Sequence, residues 1–397
     1  KKNNHLVILP DKESAAYFAN DLEALFEESD KDYTQKSILF YPATNKKPYS
    51  SDRTENANII LRLETLNRLN NGERLVVVTY PEAVCEKVAG KKEIQNKSTT
   101  IQVNDSLSID NLIDILDEYH FERVDFVTQS GQYAIRGGII DIFSYSLQKP
   151  ARIEMVGDDI ESIRIFDIVS QMSINKIDKL VVVPNLQSEE NAKDNKLQNL
   201  LSYFGKDTIV WAKELAITAR RIEEYFALAD KTFKDLQSTI TSLPPTELYC
   251  SKDEVFTLLN KYVLIETGLK YYDNGYMDFE YSTQLQPAFN QNIDLLADNL
   301  EQHSLDKYQN YFSVKDDKQK ERIEKIITQY TSQGRLIYVG YLPFTISEGF
   351  IDNETKQVYF TDHQLFNRYH KYFVQDSSQD SKRLTLEDLM ALKPGDY

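Results

Sequence analysis

The segment YAIRGGIIDIF, residues 133–143, sets an arginine and two adjacent glycines between an alternating run and a β-branched run, in a chain of 397 residues with 13 glycines. Arg136, Arg152 and Arg164 fall in consecutive strand-like segments of a region, 99–184, that holds seven Lys/Arg against fourteen Asp/Glu. A guanidinium in such surroundings has two uses: a bidentate pair inside the domain, for instance with Asp141 or Asp167, or a planar fork offered to a carboxylate on a partner. Arginine is enriched where interfaces are strongest, and internal pairing is equally common, so pattern leaves the two open.

Other chemistry is not advertised. GxxxxGK[ST], which would cradle phosphates, fits none of the glycines, and HExxH, GxSxG and GxGxxG do not occur. The five histidines, at 5, 120, 303, 363 and 370, lack metal-ligand spacing; His363 and His370 read as a solvated helix face. Asp158-Asp159 and Glu27-Glu28 sit at a turn and a helix end, where carboxylates are simply hydrated. Cys85 and Cys250 read as core thiols rather than a disulfide or zinc site, and Trp211, Tyr271 and Tyr272 read as core. These readings predict a fragment without catalytic residues, cofactor or metal.

Composition bounds the rest. A hydrophobic fraction of 41% and a charged fraction of 27% suit a globular chain of two to four domains. A formal charge of −16 opposes broad binding to phosphate backbones, which depends on clustered Lys and Arg. No run approaches the roughly 20 apolar residues of a membrane span, so no membrane partner and a cytoplasmic location are expected. The first residue is not Met and the chain ends in LKPGDY, which reads as a piece of a longer polypeptide.

The elements that must position the arginines follow from periodicity. HLVILPD reads as a strand, and the next residues as a helix with Ala15, Phe18, Ala19, Leu22, Leu25 and Phe26 on its inner face. KSILFYP and RLVVVTYPEA flank a second helix, so residues 1–98 predict a parallel α/β unit. After an amphipathic helix with Ile109, Leu112, Ile113 and Leu116 inward, RVDFVTQ, QYAIR, GIIDIFSY, ARIEMVG and IESIRIFD read as an antiparallel α+β module over 99–184. Beyond the polar stretch 187–196, WAKELAITARRIEEYFALADK reads as helix, and VLIETGL and DFEYST as strands. A small α/β unit over 289–374 is predicted from the helix LADNLEQHSLDKYQNYF, the strand YFSV, a further helix, then RLIYVG and QVYFTD, with a linker at 375–383.

The segment from YAIRGGIIDIF to RIFDIVSQMS resembles one shared by the excision-repair protein UvrB and the Mfd family of transcription-repair coupling factors: R-G-[G/x]-x-[I/V/L]-D-[I/L]-F, then R-[I/L]-[E/D]-x-x-x-D-x-I-[E/D]-x-[I/L]-R-x-F-D, then S/T-Q. RIFDIVSQMS is closer to the Mfd family. IYVGYLPFTISEGFIDNETKQVYFTDHQLFNRY is similar to the stretch following the UvrB-like module there, and LTLEDLMALKPGDY to the start of its polymerase-binding domain.

The resemblance implies a multidomain α/β protein. A degenerate P-loop-type parallel α/β domain (1–98 with 185–288) carries an inserted α+β UvrB-like domain (99–184), followed by a second small α/β domain (289–374). A truncated RNA polymerase-interacting domain begins at 384–397. It implies UvrA as partner of the inserted domain and RNA polymerase through the truncated one. DNA, with ATP and magnesium, belongs to motor domains outside this chain. By position, Arg136 and Arg152 are implied UvrA contacts, with Val156 the next position on that strand face, where some relatives carry an aromatic side chain. The alternative is a UvrB-type, ATP-dependent damage-verification protein, which carries an intact P-loop near its start.

Overall fold

The computed structural model describes residues 3–31, 33–44, 47–49, 56–92, 98–147, 149–184, 197–236, 243–272, 277–361 and 364–365. The linker, the sequence similar to the polymerase-binding domain, and His363 and His370 lie outside them. The chain divides into two compact units. Among the described residues, one comprises 3–12 and 39–270, the other 13–38 and 271–365.

In the first unit, β1 (His5–Ile8), β2 (Ile38–Phe40), β3 (Val76–Thr79), β12 (Ile209–Lys213) and β13 (Val263–Thr267) form one sheet in the order β13-β12-β1-β3-β2. The β13-β12, β12-β1 and β1-β3 pairings are parallel. Leu6, Ile8, Val77, Val78 and Val210 are fully buried, as near-continuous apolar runs covered on both faces should be. Arg62, on the helix Asn56–Asn70, is buried without exposed surface. Its Nη1 donates to the Pro42 carbonyl at 2.8 Å and lies 3.1 Å from Glu86 Oε2, and its guanidinium stands over the Tyr41 ring.

Between β3 and β12 the chain builds a separate six-stranded sheet in the order β10-β9-β8-β7-β6-β5. Its strands are β5 (Glu122–Arg123), β6 (Gln132–Arg136), β7 (Ile139–Phe143), β8 (Ala151–Val156), β9 (Asp159–Phe166) and β10 (Ser173–Ile177). All neighbours are antiparallel except β5 and β6. β4 (Thr99–Gln102) pairs antiparallel with β11 (Lys179–Val182). The helix Ile109–Glu118 is capped by Ser108 Oγ, which accepts from Asn111 N. It buries Leu112 and Leu116 against Tyr133, Ile140, Ile142, Ile153 and Ile163, with Ile109 and Ile113 half-buried beside them.

In the second unit, β14 (Thr283–Leu285), β15 (Gln309–Ser313), β16 (Val339–Leu342), β17 (Phe350–Asp352) and β18 (Gln357–Phe360) are ordered β14-β17-β18-β15-β16. The helices Ile293–Leu305 and Asp317–Thr331 pack Leu296, Leu300, Ile323 and Ile327 with Phe312, Val358 and Phe360 of the sheet.

Several boundaries differ from the sequence reading. WAK closes β12, where buried Val210 and Ala212 alternate with Trp211 and Lys213, and the helix starts at Leu215. Trp211 is therefore 36% exposed rather than core, its Nε1 donating to His5 Nδ1. RVDFVTQ contributes only Arg123 to a strand, and DFEYST only its last residue. LADNLEQHSLDKYQNYF is helical only to Leu305, before β15 starts at Gln309. The helix Lys12–Leu25 buries its small side, Ala15, Ala16 and Ala19, and leaves Phe18, Leu25 and Phe26 exposed, because alanines allow closer approach than the aromatic side. Tyr271 is exposed as well, and Tyr272 half-buried.

Candidate partner-binding face

Alternation along the antiparallel strands sorts the side chains. In β8, Ala151, Ile153 and Met155 are buried toward the helix Ile109–Glu118, while Arg152, Glu154 and Val156 point to the other face. Register carries that second face across the sheet: Asp141 stands opposite Arg152 and Ala134, Ile139 opposite Glu154 and Arg136, and Arg164 opposite Arg152 and Lys176. Ile140 and Ile142 anchor β7 in the core, whereas Ile139 is half-buried on the arginine side.

The two glycines do not bend a strand. Gly137 and Gly138 are the two-residue connection of the β6-β7 hairpin, between Arg136 and its register partner Ile139. Gly137 has φ +61 in open space, as the first central residue of a type II′ turn requires. A Cβ on Gly138 would lie 2.7 Å from the Met155 carbonyl oxygen, and the Gly138 carbonyl accepts from Met155 N at 2.8 Å. The register irregularity on this side of the sheet lies at Glu154/Met155, in the β8-β9 pairing.

The centre of the face is one carboxylate shared by two guanidinium groups. Asp141, 1% exposed, accepts from Arg152 Nε at 2.6 Å and Nη2 at 2.9 Å, and also from Arg136 Nη2. Arg152 Nη2 further donates to Gln171 Oε1 at 2.9 Å, and its guanidinium covers the Phe166 ring at 4.3 Å. Hydrogen bonding to Asp141, against a smaller opposing effect of burial, pushes the Arg152 guanidinium above its ordinary value. Arg136 Nη1 donates to the Asp125 carbonyl at 2.8 Å, and its guanidinium stands 5.0 Å from the Phe126 ring centre. The side chains differ in access: Arg136 is 36% exposed and Arg152 18%. Arg164 pairs with Glu154, the internal acid of the neighbouring strand. Val156, at the end of β8, is 65% exposed. A small cluster of Val127, Ala134 and Phe143, with Ile168 against it, lies beside Asp141 toward the end of β6 and β7 away from the hairpin turn.

Structure thus brings Arg136 and Arg152 to one acid, and Val156 to the same face of β8, but the next position after Arg152 on that face is Glu154 rather than Val156, because side chains alternate residue by residue. The sequence pattern offers Asp141 as a partner but does not single out Phe126, Phe166 and Gln171 as contacts of the arginines. Phe126 stands in RVDFVTQ, whose composition fits a strand although only Arg123 enters one. Gln171 belongs to the S-Q pair of the quoted pattern, so its place in a motif was the available signal.

Residues 99–187 match the model of the UvrB interaction domain. The likeness of the chain is to the transcription-repair-coupling factors. The Bacillus subtilis transcription-repair-coupling factor is 31% identical over 179 residues, 44% of this chain and 14% of that protein. The Escherichia coli factor is 25% identical over 179 residues, 45% and 15% of the two. The UvrABC system protein B of Thermosipho africanus is 22% identical over 219 residues, 51% of this chain and 32% of that protein. The chain thus spans about a seventh of the length of the coupling factors it matches. Among the described residues no group of His, Cys, Asp and Glu is placed to hold a metal, and no helix is long and apolar enough to cross a membrane.

Proposed function

We propose that this chain is a non-catalytic adaptor from the N-terminal region of a transcription-repair coupling factor, and that it recruits UvrA to a stalled RNA polymerase in nucleotide excision repair. The observation that carries this reading is the arginine face of a domain matching the UvrB interaction domain. Arg136 is the foremost contact: it keeps N–H groups beyond those given to Asp141 and the Asp125 carbonyl, is over a third exposed, and stands beside Phe126, 50% exposed. Arg152 is mainly internal and holds the face rigid, offering one edge to the partner. Val156 supplies an apolar contact at the end of β8.

In this reading residues 1–98 with 185–288 form the degenerate P-loop-type domain, 99–184 its insertion, 289–374 a second small α/β domain, and 384–397 the start of the polymerase-binding domain. The sheet order, with β4 to β11 lying in the chain between β3 and β12, supports that division. The loop of Leu9, Pro10 and Asp11 after β1 contains no glycine to cradle a phosphate. ATP, magnesium and DNA then belong to motor domains of the longer protein, an ATP-dependent translocase working in the cytoplasm.

Affinity of the chain for UvrA, measured by titration calorimetry, tests the assignment. Arg136→Ala is expected to cost about 2 kcal/mol, roughly thirty-fold in affinity, as for a charge-assisted interface pair. Unchanged affinity in Arg136→Ala, Arg152→Ala and Val156→Asp, with circular dichroism intact, overturns it. The match to UvrABC system protein B favours a second reading as an ATP-dependent damage-verification protein. ATP hydrolysis by this chain supports that reading and refutes the adaptor.

A further inference from the structure

The second unit carries an aromatic sheet face unrelated to the arginines. The helices Ile293–Leu305 and Asp317–Thr331 pack against the side of the sheet that holds Phe312, Val358 and Phe360. On the opposite side, register places one residue from each strand in a row: Leu285 opposite Phe350, and Tyr311 opposite both Tyr359 and Gly340. Phe350 stacks on Tyr359 at 4.6 Å between ring centres, and Tyr359 on Tyr311 at 5.7 Å. Gly340 completes the row because a Cβ there would lie 2.8 Å from the Tyr311 ring. The aromatic row is half-buried, but Leu285 at its β14 end is 81% exposed.

The chain leading into β14 extends that apolar edge. In residues 277–281, Met277, Phe279 and Tyr281 are 79%, 75% and 74% exposed and alternate with Asp278 and Glu280. The sequence has the period of a strand, but these residues are extended loop, exposed on both sides, and turn into β14 where Thr283 N donates to the Tyr281 carbonyl at 2.9 Å. β14 pairs with β17 on one side and ends the sheet on the other, so its outer backbone edge meets no strand among the described residues. Three glutamates lie along the edge. Glu280 and Glu348 are exposed, and Glu354, whose Oε1 accepts from Ser282 N at 3.2 Å, flanks the start of β14.

We propose that this edge docks a basic, apolar-alternating segment of a protein partner, which adds to the sheet as a strand beyond β14. The backbone edge supplies the ladder, Phe279, Tyr281 and Leu285 take the partner's apolar side chains, and the carboxylates select lysine or arginine at alternate positions. Aromatic side chains on an open sheet also suit stacked bases, but acidic neighbours repel a phosphate backbone, so a nucleic acid is not the occupant.

The test uses the whole 397-residue chain. Fluorescence anisotropy follows a short labelled peptide of alternating lysine and valine, the same peptide with glutamate for lysine, and a thymidine oligonucleotide. Saturable binding of the lysine peptide, at least about tenfold tighter than the glutamate peptide and weakened about tenfold or more by Leu285→Lys or Glu280→Lys, is expected. Because both side chains are exposed, the variants keep the fold, which circular dichroism checks. Absence of saturable binding, equal binding of the two peptides, binding that both variants leave unchanged, or preference for the oligonucleotide overturns the proposal. So does a dimer that sedimentation detects in the parent and not in Leu285→Lys, since the occupant is then a second copy of this chain.

Discussion

Asp141 is the residue on which the arginine face depends. Replacing it with alanine removes the acceptor for Arg152 Nε and Nη2 and for Arg136 Nη2, at a position 1% exposed. Removing one partner of a buried ion pair costs about 3–5 kcal/mol, because the remaining charge is left uncompensated. Two features place this case at the lower end. Arg136 is 36% exposed and can turn to water, and Arg152 keeps Gln171 Oε1 at 2.9 Å. The expected loss is therefore about 3 kcal/mol for Asp141→Ala and about 2 kcal/mol for Asp141→Asn, which still accepts one hydrogen bond. Amide hydrogen exchange is the assay. Ile142 and Ile153, in β7 and β8, should lose about a hundredfold protection if they exchange through opening of this domain. The paired change Asp141→Val with Arg152→Met removes both charges from the β7-β8 pair and should recover most of the loss, since apolar side chains of similar volume replace buried ion pairs at little cost. A loss below about 1 kcal/mol in Asp141→Ala, or no recovery in the paired variant, refutes the claim that this carboxylate holds the face together.

Further outcomes follow from other sites. Gly138→Ala should destabilise the same domain by about 1–3 kcal/mol in urea unfolding, because its methyl meets the Met155 carbonyl. Gly137→Ala should cost about 1 kcal/mol through its positive φ alone. Arg62→Met, read by thermal unfolding, should lower stability by about 3 kcal/mol by leaving Glu86 buried without its guanidinium. Asp21 accepts from Ser347 N at 2.8 Å and Oγ at 2.6 Å, yet burial, with a smaller push from Glu348, raises its carboxyl to about 6. The folded second unit then holds its proton more tightly than the unfolded chain. Stability from this group is complete below pH 3.8 and is lost as pH rises through 6. Relative to Asp21→Asn, the parent should therefore be about 1–2 kcal/mol better placed at pH 4 than at pH 7, the full linkage being reduced for partial exposure. A flat difference in stability between those two pH values contradicts the raised carboxyl.

Local pattern was enough for several features. Period-two alternation in ARIEMVG sorts Arg152 and Val156 from Ile153 and Met155, and the 3.6-residue period from Ile109 to Leu116 marks the helix that covers the core face. Both are legible because a side chain's direction along one element depends only on its own backbone. Legibility ended where two periods looked alike or where a neighbour decided. WAK fits a helix face until β1 pairs beside it, and the bulky side of the helix Lys12–Leu25 passes for its buried side until the alanines are seen packed.

The order of apolar, charged and glycine residues sufficed to place Arg136, Arg152 and Val156 in one antiparallel module and to mark the likeness of that module to the UvrB interaction domain. Order along the chain could not say whether the arginines were paired, since Asp141 is eleven residues from Arg152 and reaches it only across the β7-β8 register. Tertiary structure decided that both guanidinium groups share one buried carboxylate and that Arg136 stays the more accessible. It also decided that the two glycines close a hairpin rather than bend a strand. Register and solvent access are properties of neighbouring strands taken together, and a single strand's composition does not contain them.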